Sequence, residues 1–194
     1  MTIVLVPSTL LLLPEYAGQV DPVPGLRSAV RDAVAALGDG PVHVVTAPAR
    51  PENVARGVQE PAGTRIAEHL LSAVNRSYGR SSPVVTRSER PHPRTSGQGA
   101  VLVVANGSAC RTEKAPGHLD ERAEGFDATI EKALRGAPPD DALALAEGFA
   151  TDLWCHDLPE LQWLVRAVEG ARGGLTHTEA THGVAWWVGA WETA

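Results

Sequence analysis

The sequence predicts an α/β domain with a largely parallel central sheet and helices on both faces. Three observations predict this fold: short β-branched apolar runs recur along the chain, amphipathic helical patterns separate them, and the chain is long enough for one core. A strand covered by helices on both faces forms a continuous apolar run, not an alternating one. Strands that alternate with helices at this spacing are typical of parallel sheets.

Length and charge limit the classes of protein that fit. The chain has 194 residues, of which 43% are hydrophobic, and a formal net charge of -6. We therefore expect residues 1 to 194 to form a single domain. The negative charge opposes a general role in binding nucleic acid or anionic lipid, because the long-range field repels both. The sequence thus predicts neither partner.

Two features predict a cytoplasmic protein. Cys110 and Cys155 are the only cysteines, too few for a disulfide framework and without metal-knuckle spacing. No Lys or Arg precedes Arg27, so the apolar start lacks the basic segment of a signal peptide. No apolar stretch approaches the roughly 20 residues that a membrane helix needs.

In the first half, strands are predicted at residues 2 to 6 and 42 to 46. The helix between them is predicted from apolar residues at helical spacing, namely Leu26, Val30, Ala33, Val34 and Leu37. A second helix is predicted from Ile66, Leu70, Ala73 and Val74. Residues 76 to 99 are rich in Arg, Ser and Pro without apolar periodicity, which predicts a flexible loop.

In the second half, residues 100 to 104 form the third predicted strand. The next helix is predicted from a single apolar face made of Leu119, Ala123, Phe126, Ile130, Ala133 and Leu134. Another helix is expected from Pro138 to Trp154. Asp157 precedes Glu160 by three residues, the order of a helix N-cap, and predicts one more helix.

Two strands are expected to close the chain, at residues 175 to 178 and 183 to 191. Both faces of the second are apolar, with Trp186 on one and Trp187 and Trp191 on the other. A neighbouring helix or a second subunit should cover such a strand. We therefore predict a homodimer.

In open α/β sheets, ligands bind beyond the carboxyl ends of the strands. That rule selects the loops at residues 7 to 16, 47 to 63 and 106 to 119, of which the last carries charges of both signs. Backbone N–H groups after Asn106, with nearby cations, would suit an anion. The candidate ligand-binding residues are Ser8, Asn106, Ser108, Arg111, Glu113, Lys114, His118 and Asp120. If these residues line a pocket, we expect Arg111 to be at least partly enclosed and held by a carboxylate such as Glu113 or Asp120.

Other interpretations of these residues stay open. The charged loop also fits a solvated helix cap with surface ion pairs worth about 0 to 1 kcal/mol each. Ser108 and Cys110 are candidate nucleophiles beside His118, although no GxSxG elbow surrounds them. The seven histidines form no HExxH motif. His177 and His182 are the pair considered for a metal.

Two segments carry a family resemblance. They are GSACRTEKAPGHLDERAEGFD, residues 107 to 127, and THGVAWWVGAW, residues 181 to 191. With them the chain resembles the actinobacterial proteins described as class III extradiol ring-cleavage dioxygenase-like, a branch of the LigB-like superfamily. The likeness covers most of the chain in order. It implies a LigB-like fold whose site holds a non-haem ferrous ion through two His and a carboxylate, with a further His as acid or base.

The three histidine positions that the resemblance implies carry other residues here. The loop after the first strand has Ser8 and Thr9, the loop after the second has Ala49, and the turn after the third has residues 108 to 111. Such side chains do not form a ferrous site. We therefore expect a LigB-like protein without a metal or cofactor that binds a small anionic or zwitterionic ligand or a protein partner.

Two enzymatic alternatives remain, so enzymatic activity is an open question at this point. One is an active non-haem iron dioxygenase that recruits other ligands, such as His177 and His182. The other is a metal-free enzyme built on residues 106 to 120.

Overall fold

The computed structural model describes residues 1–78, 85–88, 99–137 and 148–193. These residues contain one six-stranded sheet with the strand order β3-β2-β4-β1-β6-β5. The strands are β1 (Thr2–Val6), β2 (Val42–Thr46), β3 (Val85–Ser88), β4 (Ala100–Val104), β5 (Arg172–Glu179) and β6 (Trp186–Glu192). The three strands predicted in the first two thirds of the chain and both closing strands are therefore present, and β3 is an addition.

The sheet is mixed, so the prediction of a largely parallel sheet is wrong. The pairs β3-β2, β2-β4 and β4-β1 are parallel, whereas β6 is antiparallel to both β1 and β5. The physical reason is the short connection between β5 and β6 at residues 180 to 185. A parallel pair needs a crossover of about a dozen residues or more, so these two strands form a hairpin.

Five α-helices have both ends in the described ranges, and two short 3-10 helices, Leu10–Leu12 and Pro14–Tyr16, follow β1. The α-helices are α1 (Pro24–Ala35), α2 (Pro51–Ala55), α3 (Ala62–Tyr78), α4 (Arg122–Leu134) and α5 (Leu158–Ala167). Val4 and Val6 of β1 belong to the same buried cluster as α1 and α3, whereas Ile3 and Leu5 belong to the cluster of α4 and α5. Alternate residues of one strand thus meet helices on both faces, as the sequence predicted. None of the helices in the described part of the chain has the length and apolar character needed to cross a bilayer.

Several element boundaries differ from the sequence predictions. Leu119 is 51% exposed and precedes α4, because the chain is tied down there by the Asp120 N–H bond to the Cys110 carbonyl. Trp154 has a φ of 54° and ends a turn instead of continuing a helix. Most of the helix predicted from Pro138, residues 138 to 147, lies outside the described residues.

The predicted flexible loop at residues 76 to 99 falls largely outside the described residues as well. Its first three residues belong to the end of α3. Residues 85 to 88 form β3, which pairs with β2 along its length. The sequence did not predict this strand.

The closing strand β6 is covered on both faces within one chain. Trp186, Trp187 and Trp191 are 2%, 2% and 3% exposed. Trp186 packs in the cluster of α1 and α3, whereas Trp187 and Trp191 pack in that of α4 and α5. This burial removes the reason for expecting a second subunit, and the homodimer stays a prediction.

Candidate functional site: a cleft at the strand ends

A cleft of about 530 Å³ lies beyond the carboxyl ends of β1, β2 and β4. The loops that follow these three strands form most of its wall, and residues just before α5 complete it. Its polar and aromatic side chains are Ser8, Thr46, Arg50, Asn53, Glu60, Asn106, Trp154, His156 and Asp157. The volume suits a small molecule.

Asn106 connects the loop after β1 to the start of α5 through hydrogen bonds. Its side chain accepts the Ser8 N–H at 2.8 Å and donates to the Ser8 carbonyl at 3.1 Å. Its backbone N–H donates to Asp157 Oδ2 at 2.8 Å. Asn106 therefore fixes the loop after β1 and the residue before α5 relative to β4.

Asp157 is the most perturbed acid in the cleft. The residue is 9% exposed and occupies the N-cap position of α5, but its side chain makes no capping hydrogen bond. Burial raises the pKa of Asp157 to about 7, and the nearby Glu160 also raises it, whereas the Asn106 N–H bond and Arg50 oppose the rise. A carboxyl group with such a pKa exchanges protons near neutral pH. The interpretation of Asp157 and Glu160 as a capping pair gave the right helix but the wrong role for Asp157.

Besides Asp157, the described part of the cleft wall carries one basic and one acidic side chain and a histidine. Arg50 and Glu60 are exposed side chains on its wall. Burial lowers the pKa of His156, and Arg50 lowers it further. Both effects favour the neutral form of His156, and Arg50 supplies the fixed positive charge among the described cleft residues.

Trp154 forms an aromatic part of the wall. It is 44% exposed in spite of its size, and its φ of 54° is rare for a bulky residue. Gly117 makes room for it, since a Cβ there would lie 3.1 Å from Trp154 Cγ and 2.5 Å from Cys110 Sγ. Residues held in rare backbone conformations cluster at functional sites.

Of the eight candidate residues from the sequence, Ser8 and Asn106 line the cleft. Ser108 and Arg111 instead contact Asp127 of α4. Asp127 Oδ1 accepts the Ser108 N–H at 2.8 Å, and its Oδ2 accepts the Ser108 hydroxyl at 2.6 Å and Arg111 Nη1 at 3.2 Å. Arg111 also lies 3.5 Å from Glu124. Arg111 is thus partly enclosed and held by a carboxylate, as expected, but the carboxylates are those of Asp127 and Glu124 and not those of Glu113 or Asp120.

The remaining candidates lie on the outer surface of the loop. Glu113, Lys114 and His118 are exposed, and His118 has a φ of 61°. Asp120 is bound by Arg122 at 2.7 Å, which lowers its pKa to about 2. These four side chains do not line the cleft.

The candidate nucleophiles are held in unreactive states. Ser108 is fully buried and donates its hydroxyl hydrogen to Asp127. Cys110 is 1% exposed, and burial raises its thiol pKa, so the reactive thiolate is disfavoured. Neither residue lines the cleft.

The residues at the strand ends do not fit the ferrous ion that the resemblance implies. The loops after β1 and β2 place Ser8 and Ala49 in the cleft wall, and neither is a donor for Fe²⁺. Among the described residues, no three His, Cys, Asp or Glu side chains lie close enough to hold a metal ion. His177 lies on β5, 3.4 Å from Glu179, and His182 stacks near Trp186, away from the cleft.

Sequence reasoning located the cleft but missed Arg50, His156 and Asp157. Arg50 lies in the loop at residues 47 to 63, which was predicted to bind a ligand without any single residue being named. Asp157 was predicted to cap a helix. One signal was present: the pair His156-Asp157 follows Cys155 at the end of an apolar segment. The local sequence around His156 and Asp157 does not indicate that these residues lie near the ends of β1 and β4.

Comparisons with known proteins give no further assignment. No protein-family model matches the chain. No curated protein matches it at a significant level.

Proposed function

We propose that this chain is a LigB-like α/β protein that binds a small anionic or zwitterionic ligand in the strand-end cleft without a ferrous ion. The observation that carries the proposal is the cleft itself, with Arg50 and Asp157 in its wall. The family assignment is supported by the two segments of sequence likeness and by the α/β sheet. The absence of imidazole donors after β1 and β2 supports the iron-free site.

The chemistry of the wall supports this class of ligand. Arg50 offers a guanidinium group that suits a carboxylate or phosphate oxygen. Ser8 and Asn53 add neutral polar groups, and Glu60 offers a charge of the opposite sign for an amino group. A zwitterion could therefore be bound at both ends.

A metal-free enzyme is the second candidate, and one observation favours it. The pKa of Asp157 is raised to about 7 in the cleft, which is suited to a general acid or base at neutral pH. Asp157 lies outside residues 106 to 120. In this alternative the catalytic centre is therefore at the residue before α5 and not in that loop.

We also propose a cytoplasmic location for the protein. Cys110 and Cys155 are both free and buried, which fits a reducing compartment.

A binding experiment with paired arginine variants tests the proposal. Isothermal titration at pH 6.5 would use acetate, lactate, succinate, glycine and inorganic phosphate against the wild type, Arg50→Ala and Arg56→Ala. Arg56 is an exposed arginine six residues further along that does not line the cleft, so it is a matched control. We expect at least one probe to bind the wild type and Arg56→Ala equally, and Arg50→Ala at least tenfold more weakly, since a lost charge-assisted hydrogen bond is worth about 1.5 to 3 kcal/mol.

Two results would contradict the proposal. The ligand-binding function fails if no probe binds the wild type, or if both arginine variants bind alike. The iron-free site fails if protein reconstituted with ferrous ion binds it stoichiometrically and cleaves catechol.

A further inference from the structure

Asp157 and Arg50 both line the cleft. An anion bound to Arg50 would therefore lie in the same cavity as the Asp157 carboxyl group. Asn106 N–H already occupies Asp157 Oδ2. Asp157 lines the cleft and is 9% exposed, so its other oxygen, Oδ1, is the atom that a ligand would meet.

An ionised Asp157 would repel an anion at this position. Two negative groups a few ångströms apart do not both stay ionised in a partly desolvated site, and one of them takes up a proton. A protonated Asp157 removes the repulsion and becomes a hydrogen-bond donor. The hydrogen bond from a carboxylic acid to a carboxylate is short and strong.

We infer that the cleft binds a monoanionic carboxylate together with one proton, which Asp157 carries and donates to the ligand from Oδ1. The inference rests on the proposed function and specifies its ligand class. Asp157 is then a specificity-determining residue. The site selects an anion that can accept a hydrogen bond and that carries one negative charge, which one Arg can balance. A dianion would leave one negative charge unmatched in a cleft whose wall also carries Glu60.

Burial raises the pKa of Asp157 to about 7, Glu160 of α5 adds to the rise, and Arg50 in the loop after β2 opposes it. Burial raises the pKa of Glu160 as well. Burial lowers the pKa of His156, which favours its neutral form. Burial raises the pKa of the neighbouring Cys155 well above its usual value, so its thiol stays protonated. Among the described residues that line the cleft, Asp157 is the acid whose pKa is raised to about 7, so its charge changes near neutral pH.

The inference predicts how affinity depends on pH. The protonated fraction of free Asp157 falls about tenfold for each pH unit above its pKa. The association constant for acetate or lactate should therefore fall about tenfold between pH 8 and pH 9 and change little below pH 6.5. Binding at pH 8 should take up about 0.9 proton for each ligand bound, because about nine tenths of the free protein is ionised there.

The experiment is isothermal titration of acetate, lactate and succinate from pH 6.5 to 9, in buffers that differ in ionisation enthalpy. Asp157→Asn is neutral at every pH, keeps an oxygen for the Asn106 N–H, and adds an N–H donor. We expect D157N to bind the carboxylate with an affinity that is constant across this range and to take up no proton. His156→Gln should keep the wild-type decline between pH 7 and 9.

The outcomes separate this inference from the proposed function. If a carboxylate binds the wild type with no decline from pH 7 to 9 and no proton uptake, the inference is wrong, while weaker binding by R50A still supports the proposed function. A decline that disappears in H156Q also overturns it. If no anion binds at any pH, both fail. Proton uptake is measured on the wild-type protein, so the test remains decisive even if D157N does not fold.

Discussion

The backbone N–H of Asn106 donates a hydrogen bond to Asp157 Oδ2 at 2.8 Å, across 51 positions of sequence. This bond joins the end of β4 to the start of α5 at the base of the cleft. It keeps a buried carboxyl group in a position where desolvation raises its pKa to about 7. The free energy of unfolding should therefore depend on the protonation state of Asp157.

Asp157 should make the protein less stable as the pH rises. Its pKa is raised from 3.8 to about 7 in the folded state, so between these values the folded state binds more protons than the unfolded state. The free energy of unfolding then falls with rising pH through this window, by about 1.4 kcal/mol per pH unit at most. Urea unfolding at pH 5, 6 and 7 should show a steeper decline for the wild type than for D157N. Parallel curves would contradict this prediction.

Asp127 should be important for stability, because it binds Ser108 and Arg111 inside the protein. It is 2% exposed, and three donors offset the burial that raises its pKa. Asp127→Ala leaves Ser108 and Arg111 without that partner and should cost about 3 to 5 kcal/mol of unfolding free energy. Asp127→Asn, which keeps an acceptor, should cost less.

Glu124→Ala is the control for this prediction. Glu124 also contacts Arg111, but its side chain is 83% exposed. We expect a loss of no more than about 0.5 kcal/mol in the same unfolding measurement, because exposed ion pairs contribute little. Equal losses for D127A and E124A would show that the buried contacts are not the important ones.

Gly107 should tolerate no side chain. A Cβ there would lie 2.5 Å from Trp187 Cη2 and 2.7 Å from Asp127 Oδ1. Gly107→Ala should destabilise the protein by about 1 to 3 kcal/mol, the usual cost of overpacking. Gly125 lies within α4 with nothing within 4 Å of its Cβ position, so Gly125→Ala should stabilise by about 0.5 to 1 kcal/mol. Thermal unfolding of both variants tests the pair, and a stable G107A would refute the geometry.

Trp154 should dominate the tryptophan emission that acrylamide can quench. It is 44% exposed, whereas Trp186, Trp187 and Trp191 are nearly fully buried. Trp154→Phe should remove most of the quenchable emission. Trp163→Phe is the control, because Trp163 is only partly exposed and should contribute a smaller share. Strong quenching that survives in W154F would contradict the dominant share expected of Trp154.

The strands and main helices could be predicted from the sequence because local patterns determine them. Residues 2 to 6, 42 to 46 and 100 to 104 are short runs rich in Val, and the structure has strands at these positions. The helical spacing of Leu26, Val30 and Val34 likewise corresponds to the buried face of α1. The rule that ligands bind at strand ends then located the cleft without any contact being known.

Strand direction was decided by tertiary structure. Nothing in the composition of β6 distinguishes a parallel from an antiparallel strand, since it is apolar on both faces either way. Its direction follows from the hairpin with β5 and from its place beside β1. The same tertiary arrangement buried its tryptophans within one chain.

The residues of the site were also decided by long-range contacts. Arg111 and Asp127 are sixteen residues apart and meet because α4 packs behind the loop, so the charged loop became part of the protein's scaffold. Asp157 enters the cleft because the start of α5 meets the end of β4. The sequence by itself determined which segments form strands and helices, through hydrophobic periodicity. Only the tertiary structure decided which charges face the cleft, because desolvation and pairing depend on neighbours that are distant in the chain.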